Sequence, residues 1–410
     1  MAADYSARMA DKRIRTDVVI AGAGVAGGTL AALLSQAGIR TICIDQDSAA
    51  KTLSPDFDGR TMAISYGSAS ILKRTPIWNS IAEQACHIKD IHITEESSPT
   101  LLRFLCDEVD AEAFGWVVEM RILRKAVYDA LNDTKGCTYT APARITNYKV
   151  HADHVETYLE DGHIIQSSLA IGADGRKSFT RDFMGIETRG RDYHQRAIVC
   201  YITHTKDHEN TAIENFRQSG PLAILPMKDN EKGQHRSTLV WTEENTKATS
   251  AKDWDDATFA AALAERVSDV LGDITSIGPR FSYPLSLSHA QSYTGPRMAL
   301  IADAAHGIHP IAGQGLNLGL RDVDVLSNLL IMAKNENADL GSADILQTYS
   351  RKRRADNVLM AGATDMLNQL FSNDIAPIRY ARRLGLRAVK KIPSLQKLLM
   401  EQAMGKSILK

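Results

Sequence analysis

The chain has 410 residues, enough for about two or three domains, each with its own core. With 44% hydrophobic and 24% charged residues and a net charge of −1, it lacks the basic excess of a nucleic-acid-binding protein. Its five cysteines (Cys43, Cys86, Cys106, Cys137 and Cys200) are scattered and form no Cys-x-x-Cys pair. That spacing argues against a disulfide framework or a zinc site, predicts no metal, and points to a reducing compartment.

Met1–Arg15 is polar and has no apolar centre, so it does not read as a secretory signal. No stretch reaches the ~18 apolar residues of a membrane span. The expected location is cytoplasmic. Asp17-Val-Val-Ile-Ala-Gly22 predicts a short buried strand, Ala26 to Gln36 a helix, and Thr41-Ile-Cys-Ile-Asp45 a second buried strand. This is a βαβ unit. Its turn reads Gly22-Ala-Gly24-Val-Ala-Gly27. The first glycine allows the tight turn, the second lets backbone approach a pyrophosphate, and the third lets helix pack on strand. Asp45 follows about 20 residues on, where an acid can accept from a ribose. A glycine triplet alone is weak, but its strand, helix and acid together predict dinucleotide binding, with NAD and FAD still indistinguishable.

Val155–Leu159 and Ile164–Ile165 flank Glu160-Asp-Gly162, a hairpin signal. Leu169-Ala-Ile-Gly-Ala-Asp174 predicts another buried strand, running into the loop Gly175-Arg176-Lys-Ser178-Phe-Thr-Arg181. Standing alone, that Asp-Gly pair is a surface turn. From Tyr193 to Pro284 the pattern becomes strand-like at 197–203, 222–226 and 237–241, with one helix expected over 256–271. This predicts a separate, mostly antiparallel substrate domain. Met298-Ala-Leu-Ile-Ala302 returns to the first domain as a strand ending at Asp303. A His/Pro/Gly loop follows, and the chain beyond Gly315 is predominantly helical. A helix opened by Gly313-Gln-Gly315 presents backbone N–H groups and partial positive charge to an electron-rich ligand.

These three motifs, in this order, resemble the flavoprotein monooxygenases of the p-hydroxybenzoate hydroxylase class. Gly22/Gly24/Gly27 match the FAD fingerprint, Ala173-Asp174-Gly175 the family's Asp-Gly motif and Ala302-Asp303 its Gly-Asp motif. A narrower match joins Asp58-Gly-Arg60, Gly115-Trp-Val-Val-Glu119, Tyr193-His-Gln195, Gly220-Pro-Leu-Ala-Ile-Leu-Pro226 and the run from His309 to Asp322. Together they resemble the ubiquinone-biosynthesis hydroxylases of the UbiH/VisC type.

The resemblance implies an α/β fold: a Rossmann-like FAD-binding domain (1–185 with 286–340), an inserted, mostly antiparallel substrate domain (186–285) and a helical C-terminal region (341–410). Gly22, Gly24 and Gly27 would cradle the FAD pyrophosphate, Asp45 would hold the adenosine ribose and Arg60 would line the groove. Asp303 would bind the phosphate-to-ribityl region. Asp174, with Arg181, belongs to the motif linked to FAD and nicotinamide. Backbone N–H groups around Gly313, Gly315, Leu316 and Asn317 would face the pyrimidine end of the flavin and stabilise its reduced charge. His309 and Pro310 are candidate flavin-loop residues, His309 because Pro310 should bring it beside the ring; no catalytic base is assigned. His306 is expected to be structural.

The implied activity is aromatic hydroxylation through a flavin C4a-hydroperoxide. It would use O2 and either NAD(P)H or a separate reductase, on a polyprenylated phenol or benzoquinol precursor of ubiquinone. The alternatives are a hydroxylase of a soluble aromatic substrate and a non-catalytic scaffold of a quinone-biosynthesis complex. Ala302 stands where the family has glycine, which requires an ordinary backbone angle there. Met120 stands where a polar residue is usual, with Arg121 or Arg124 as substitutes. Leu395, Leu398, Leu399 and Ala403 fall at helical spacing beside Lys391 and Lys397. An amphipathic helix packed on the domain is the simpler reading. Contact with the inner membrane surface or with other quinone-biosynthesis proteins is the sharper one.

Overall fold

The structure is a computed structural model that describes residues 13–95, 101–217, 219–267, 270–308, 313–371 and 392–405. Val18–Ala21 is apolar on both faces and fully buried, the pattern of a parallel strand covered on both sides. It lies inside a six-stranded sheet. The order is Thr294–Gly295, Met298–Leu300, Leu169–Gly172, Val18–Ala21, Thr41–Ile44 and Cys137–Thr140. All neighbours run parallel except the first pair. Ile20 stands opposite Ile171 on one side and Cys43 on the other. The chain leaves Val18–Ala21 towards Thr41–Ile44 and later adds Leu169–Gly172 on the opposite flank. This reversal of strand order opens a crevice at the strands' carboxyl ends.

Val25–Gln36 is buried along nearly its whole length. Gly27 and Gly28 permit that approach. A Cβ at Gly27 would run into the Gly22 carbonyl, and one at Gly28 into Val127 of the helix Met120–Asp133. Gln314–Asn335 packs on Val25–Gln36, and Gly319 lies so close to Ala302 that a Cβ there would meet Ala302 Cβ at 2.8 Å.

A nine-stranded sheet forms the other large layer. Its order is His306–Gly307, Phe281–Ala290, Thr188–His204, His235–Glu244, Leu222–Met227, Thr211–Phe216, Asp90–Glu95 and Leu102–Leu105, with Ile274–Ile277 also beside Thr188–His204. Only the Thr211–Phe216 and Asp90–Glu95 pair is parallel. Thr188–His204 is one 17-residue strand, longer than the 197–203 expected. Its register breaks between Asp192 and Arg196, where His194 takes φ +53°. One face of this sheet is sealed by Asn245–Lys252 and Asp256–Val267, with Trp241 against Phe259 at 5.4 Å. Phe259 and Leu263 are fully buried there, and truncating either to alanine removes about 2–5 kcal/mol. Asn245–Lys252 escapes sequence reading because its polar composition carries no apolar period.

A three-stranded sheet (Thr61–Ser65, Gly115–Glu119, Cys86–Ile88) lies between the two layers. A four-stranded sheet holds the expected hairpin, Val155–Leu159 against Ile164–Ser167. In Pro393–Ala403 the expected stripe is only partly packed: Ala403 is, and Leu398 and Leu399 are not. Met400, Ala403 and Met404 enter the cluster with Phe104 and Phe114, whereas Leu398 and Leu399 are 45% and 36% exposed. Lys391 lies outside the described residues.

Candidate cofactor and active site

Because the five strands run parallel, their carboxyl ends share one edge, and the motifs follow directly from them. Gly22 leaves Val18–Ala21, Asp45 leaves Thr41–Ile44, Ala173-Asp174 leaves Leu169–Gly172 and Ala302-Asp303 follows Met298–Leu300. Segments nearly 300 residues apart in sequence therefore border one crevice.

Gly22 has φ +101°, and a Cβ there would strike the Ala173 carbonyl. This turn closes only on glycine. Gly24 is different, since nothing lies within 4 Å of a Cβ placed on it. The turn's outer side is a cradle that an added side chain would fill. Asp45 Oδ2 accepts from Ala23 N at 2.8 Å and Oδ1 from Asp47 N at 2.9 Å. Burial pushes its pKa upward against those two bonds. The carboxylate keeps lone pairs for the crevice.

Across the crevice mouth, Asp58 gathers cations. Arg60 Nη2 donates to its Oδ2 at 2.7 Å, Arg124 Nη2 to the same oxygen at 2.6 Å, and Tyr283 Oη to Oδ1 at 3.1 Å. Burial alone would raise the Asp58 pKa, but the hydrogen bonds and charge of Arg60, with the Arg124 charge, hold it well below the carboxylate range. Arg124 Nη1 is buried without a partner. An orphaned guanidinium N–H beside an open glycine turn fits a phosphate or ribose oxygen. Arg121, the other substitute, is exposed.

The second and third motifs are stitched together. Asp174 accepts from Ser178 Oγ at 2.5 Å and from both Thr180 N and Thr180 Oγ1 at 2.9 Å, so its carboxylate closes its own loop. Arg181, buried, donates to Ala304 O at 3.2 Å and Arg176 O at 3.0 Å. Arg176 reaches Asp303 at 3.4 Å, and the Asp303 carboxylate stays half-exposed at its strand end.

Ala302 corrects a sequence expectation. Its φ is +52°, not an ordinary angle. The left-handed region is about 1–2 kcal/mol unfavourable for a residue with a Cβ. The conformation is held by Asp322 Oδ2, which accepts Ala302 N at 2.9 Å. Asp322 also accepts from His306 Nε2 at 2.5 Å, Arg353 Nε at 2.7 Å and Asn357 Nδ2 at 3.3 Å. Arg353 in turn donates to Asp356 at 2.6 Å. Asn357 donates to Tyr293 Oη at 3.1 Å, which leaves that hydroxyl to donate to His289 Nε2 at 2.9 Å. Burial, with the His306 charge, lowers the His289 pKa to about 4, so the ring is a neutral acceptor. His306 is thus structural, bonded to a carboxylate. The signal available for this network was Arg353/Asp356/Asn357, three polar residues at i, i+3 and i+4 on a packed helix. Tyr293 gave none.

Gly313 opens the helix Gln314–Asn335 at φ +63°, with no side chain capping the first turn. Gly315 has open space where a Cβ would point. Asn317 pins this end: its Nδ2 donates to Ala63 O and Gly313 O, both at 3.0 Å, and its Oδ1 accepts Ser65 N at 2.9 Å. His309 and Pro310 lie outside the described residues. Among the described residues one group has metal-ligating spacing, His151, His154 and Glu156, with ligand atoms within 4.8 Å of one another. It lies at the turn between Ile145–Val150 and Val155–Leu159 of the four-stranded sheet, not at the crevice.

A parallel sheet with an open glycine turn, a helix N-terminus facing the same edge and an antiparallel sheet beyond it define a dinucleotide-binding flavoprotein architecture. The chain belongs to the FAD binding domain family, which it matches over residues 15–361. Its cofactor is FAD and its class is FAD-dependent monooxygenase. It is 41% identical to the ubiquinone hydroxylase UbiL of Rhodospirillum rubrum, across 95% of this chain and 89% of that protein. It is 32% identical to the 3-demethoxyubiquinol 3-hydroxylase of Escherichia coli, across 95% and 98%. Among solved structures, p-nitrophenol 4-monooxygenase PnpA of Pseudomonas putida superposes with a TM-score of 0.78 at 18% identity, covering 97% of this chain and 99% of that one. That likeness concerns the fold.

Proposed function

We propose that the protein hydroxylates the ring of a polyprenylated phenol or benzoquinol on the route to ubiquinone. The observation that carries this is the crevice: an open glycine turn, Asp45, Asp303 and an uncapped helix N-terminus share one edge, and the nine-stranded sheet turns towards it the face not covered by Asn245–Lys252 and Asp256–Val267. Similarity to a ubiquinone hydroxylase and to a 3-demethoxyubiquinol 3-hydroxylase over nearly the whole chain supports the substrate class.

In this reading Gly22, Gly24 and Gly27 let backbone N–H groups approach the FAD pyrophosphate, and Arg124 Nη1 gains the oxygen it lacks. Asp45 accepts ribose hydroxyls, Asp303 holds the ribityl chain and Arg60 borders the groove. Asp174 and Arg181 keep the two neighbouring loops in register. The first-turn N–H groups from Gly313 to Asn317 face the flavin and favour negative charge on it. When bound, FAD would supply the redox chemistry, with two electrons from NAD(P)H or a reductase, by which one atom of O2 goes to the ring and the other leaves as water. The surrounding apolar walls exclude water and hold the ring at attack distance.

Deleting the gene and identifying the accumulated quinone intermediate by mass spectrometry tests the reading. An under-hydroxylated polyprenyl ring is expected. An unchanged quinone pool in a host without a second hydroxylase would refute it.

No helix among the described residues is long and apolar enough to cross a membrane. The exposed Ile392, Leu398 and Leu399 beside Lys397 support peripheral contact with a bilayer, suited to a polyprenyl substrate. Replacing Leu398 and Leu399 by glutamate should abolish liposome flotation; unchanged flotation would remove the idea.

A further inference from the structure

The nine-stranded sheet has two unlike faces. On one, Ile198, Cys200, Leu222, Ile224, Leu239 and Trp241 are at most 2% exposed beneath the two sealing helices. On the other, Ala223, Leu225 and Val240 keep accessible surface.

Strand alternation assigns Glu214 to the second face. Its neighbours Ile213 and Asn215 turn to the helices, Ile213 into the cluster of Trp241 and Phe259, Asn215 donating to Arg266 O at 3.3 Å. Ala212, on the side of Glu214, packs instead with Ala63 and Val117 of the three-stranded sheet. Ala63 is the residue whose carbonyl Asn317 holds and against which Gly313 lies. The Glu214 face is therefore the one turned towards the uncapped helix end.

The residues in the row through Glu214 are apolar, and the nearest acid on this face is the buried Glu95, two residues on from Ile93. In register across the sheet it lies between Ile93 and Ala223, and the row continues through Val240 and Val199. Among the described residues it makes no hydrogen bond and no ion pair. Yet it is enclosed deeply enough that burial alone pushes its pKa up to about 7, and it still retains accessible surface. A half-buried carboxylate without a partner is unfavourable unless a ligand completes it.

We propose that Glu214 receives the ring hydroxyl of the substrate, accepting its O–H, and selects phenols over ring carboxylic acids. This rests on the hydroxylase reading above. A phenol supplies the missing donor, and the hydrogen bond raises electron density at the ring carbons ortho and para to the hydroxyl. A ring carrying its own carboxylate meets like charge in a low-dielectric cleft and is rejected.

The test uses the FAD-loaded protein at about pH 8, above the raised Glu214 pKa, titrated with 2-prenylphenol and with 3-prenyl-4-hydroxybenzoate while flavin absorbance is followed. The wild type should bind the phenol at least about tenfold more tightly than the acid. Glu214→Gln should shrink that ratio to within about threefold, weakening the phenol and strengthening the acid, while Glu214→Asp keeps the preference. Flavin content, measured alongside, should not change, and the thermal midpoint of Glu214→Gln should not fall, because the variant no longer buries an unpaired charge. An unchanged ratio in Glu214→Gln, or no flavin response to either probe in the wild type, overturns the proposal. Preferential phenol binding without hydroxylated product would fail the function while leaving this assignment standing. Equal phenol turnover and selectivity in wild type and Glu214→Gln would do the reverse.

Discussion

Asp322→Asn is the most demanding perturbation this site offers. The Asp322 carboxylate is wholly buried and receives Ala302 N, His306 Nε2, Arg353 Nε and Asn357 Nδ2. Arg353 and Arg321 are also buried, and without Asp322 only Asp356 remains to balance them. An asparagine keeps the shape but turns an N–H2 towards donors that are already committed. Breaking a buried pair from one side costs about 3–5 kcal/mol. The loss should appear in urea unfolding at neutral pH as a lower midpoint with an unchanged slope. Adding Arg353→Met should return more than about half of it, because the stranded charge goes too. Burial pushes the Asp322 pKa up, but the charges and hydrogen bonds of His306 and Arg353 leave it well below the carboxylate range. A depressed folded pKa contributes stability above the unfolded value of about 3.9 and loses it as pH falls through the folded value. Wild-type stability should therefore decline below about pH 4 more steeply than that of Asp322→Asn. A loss under about 1 kcal/mol, or parallel acid profiles, would refute the idea that Asp322 carries this network.

Ala302→Gly should raise stability by about 0.5–1 kcal/mol, since relief of about 1–2 kcal/mol at φ +52° exceeds the added unfolded-state freedom. Ala302→Val should lower it by more than about 2 kcal/mol by forcing a β-branched residue against Gly319; both are read by chemical denaturation. Gly24→Val should leave apoprotein stability within about 0.5 kcal/mol, because open space surrounds that position. It should weaken FAD binding by about 100-fold, seen as colourless purified protein and in fluorescence titration. Retained yellow colour would show that the turn does not approach the cofactor.

The crevice was legible where one local pattern fixes one local geometry. Gly22/Gly24/Gly27 and Asp45 are close in sequence, and strand, turn and helix leave them few arrangements. Asp303 was legible because a buried apolar strand ending in an acid is a short pattern too. Ala302 was not, since alanine gives no sign of a left-handed backbone; the conformation is imposed by Asp322, 20 residues on. Tyr293, Arg353 and Asn357 meet only through the packing of a helix on a sheet. Asp90–Glu95, with Leu102–Leu105 beside it, joins the large sheet by pairing parallel with Thr211–Phe216, a contact across more than 100 residues that periodicity cannot report. Glu214 had the same problem, because which face of a strand borders a cleft depends on what covers the other.

The large sheet takes strands from Asp90 through to Gly307. The two strands at one edge, Asp90–Glu95 and Leu102–Leu105, emerge from the ribosome early, but the strand that joins them to the sheet arrives only with residues 211–216, and the far edge only with 306–307. The glycine turn at residue 22 likewise waits for Met298–Leu300 and the helix beyond to complete its crevice. Synthesis thus leaves an N-terminal half with open strand edges and no place to hold FAD. Chaperone protection in that interval, and cofactor capture only near the end of translation, follow from the order in which the strands are made.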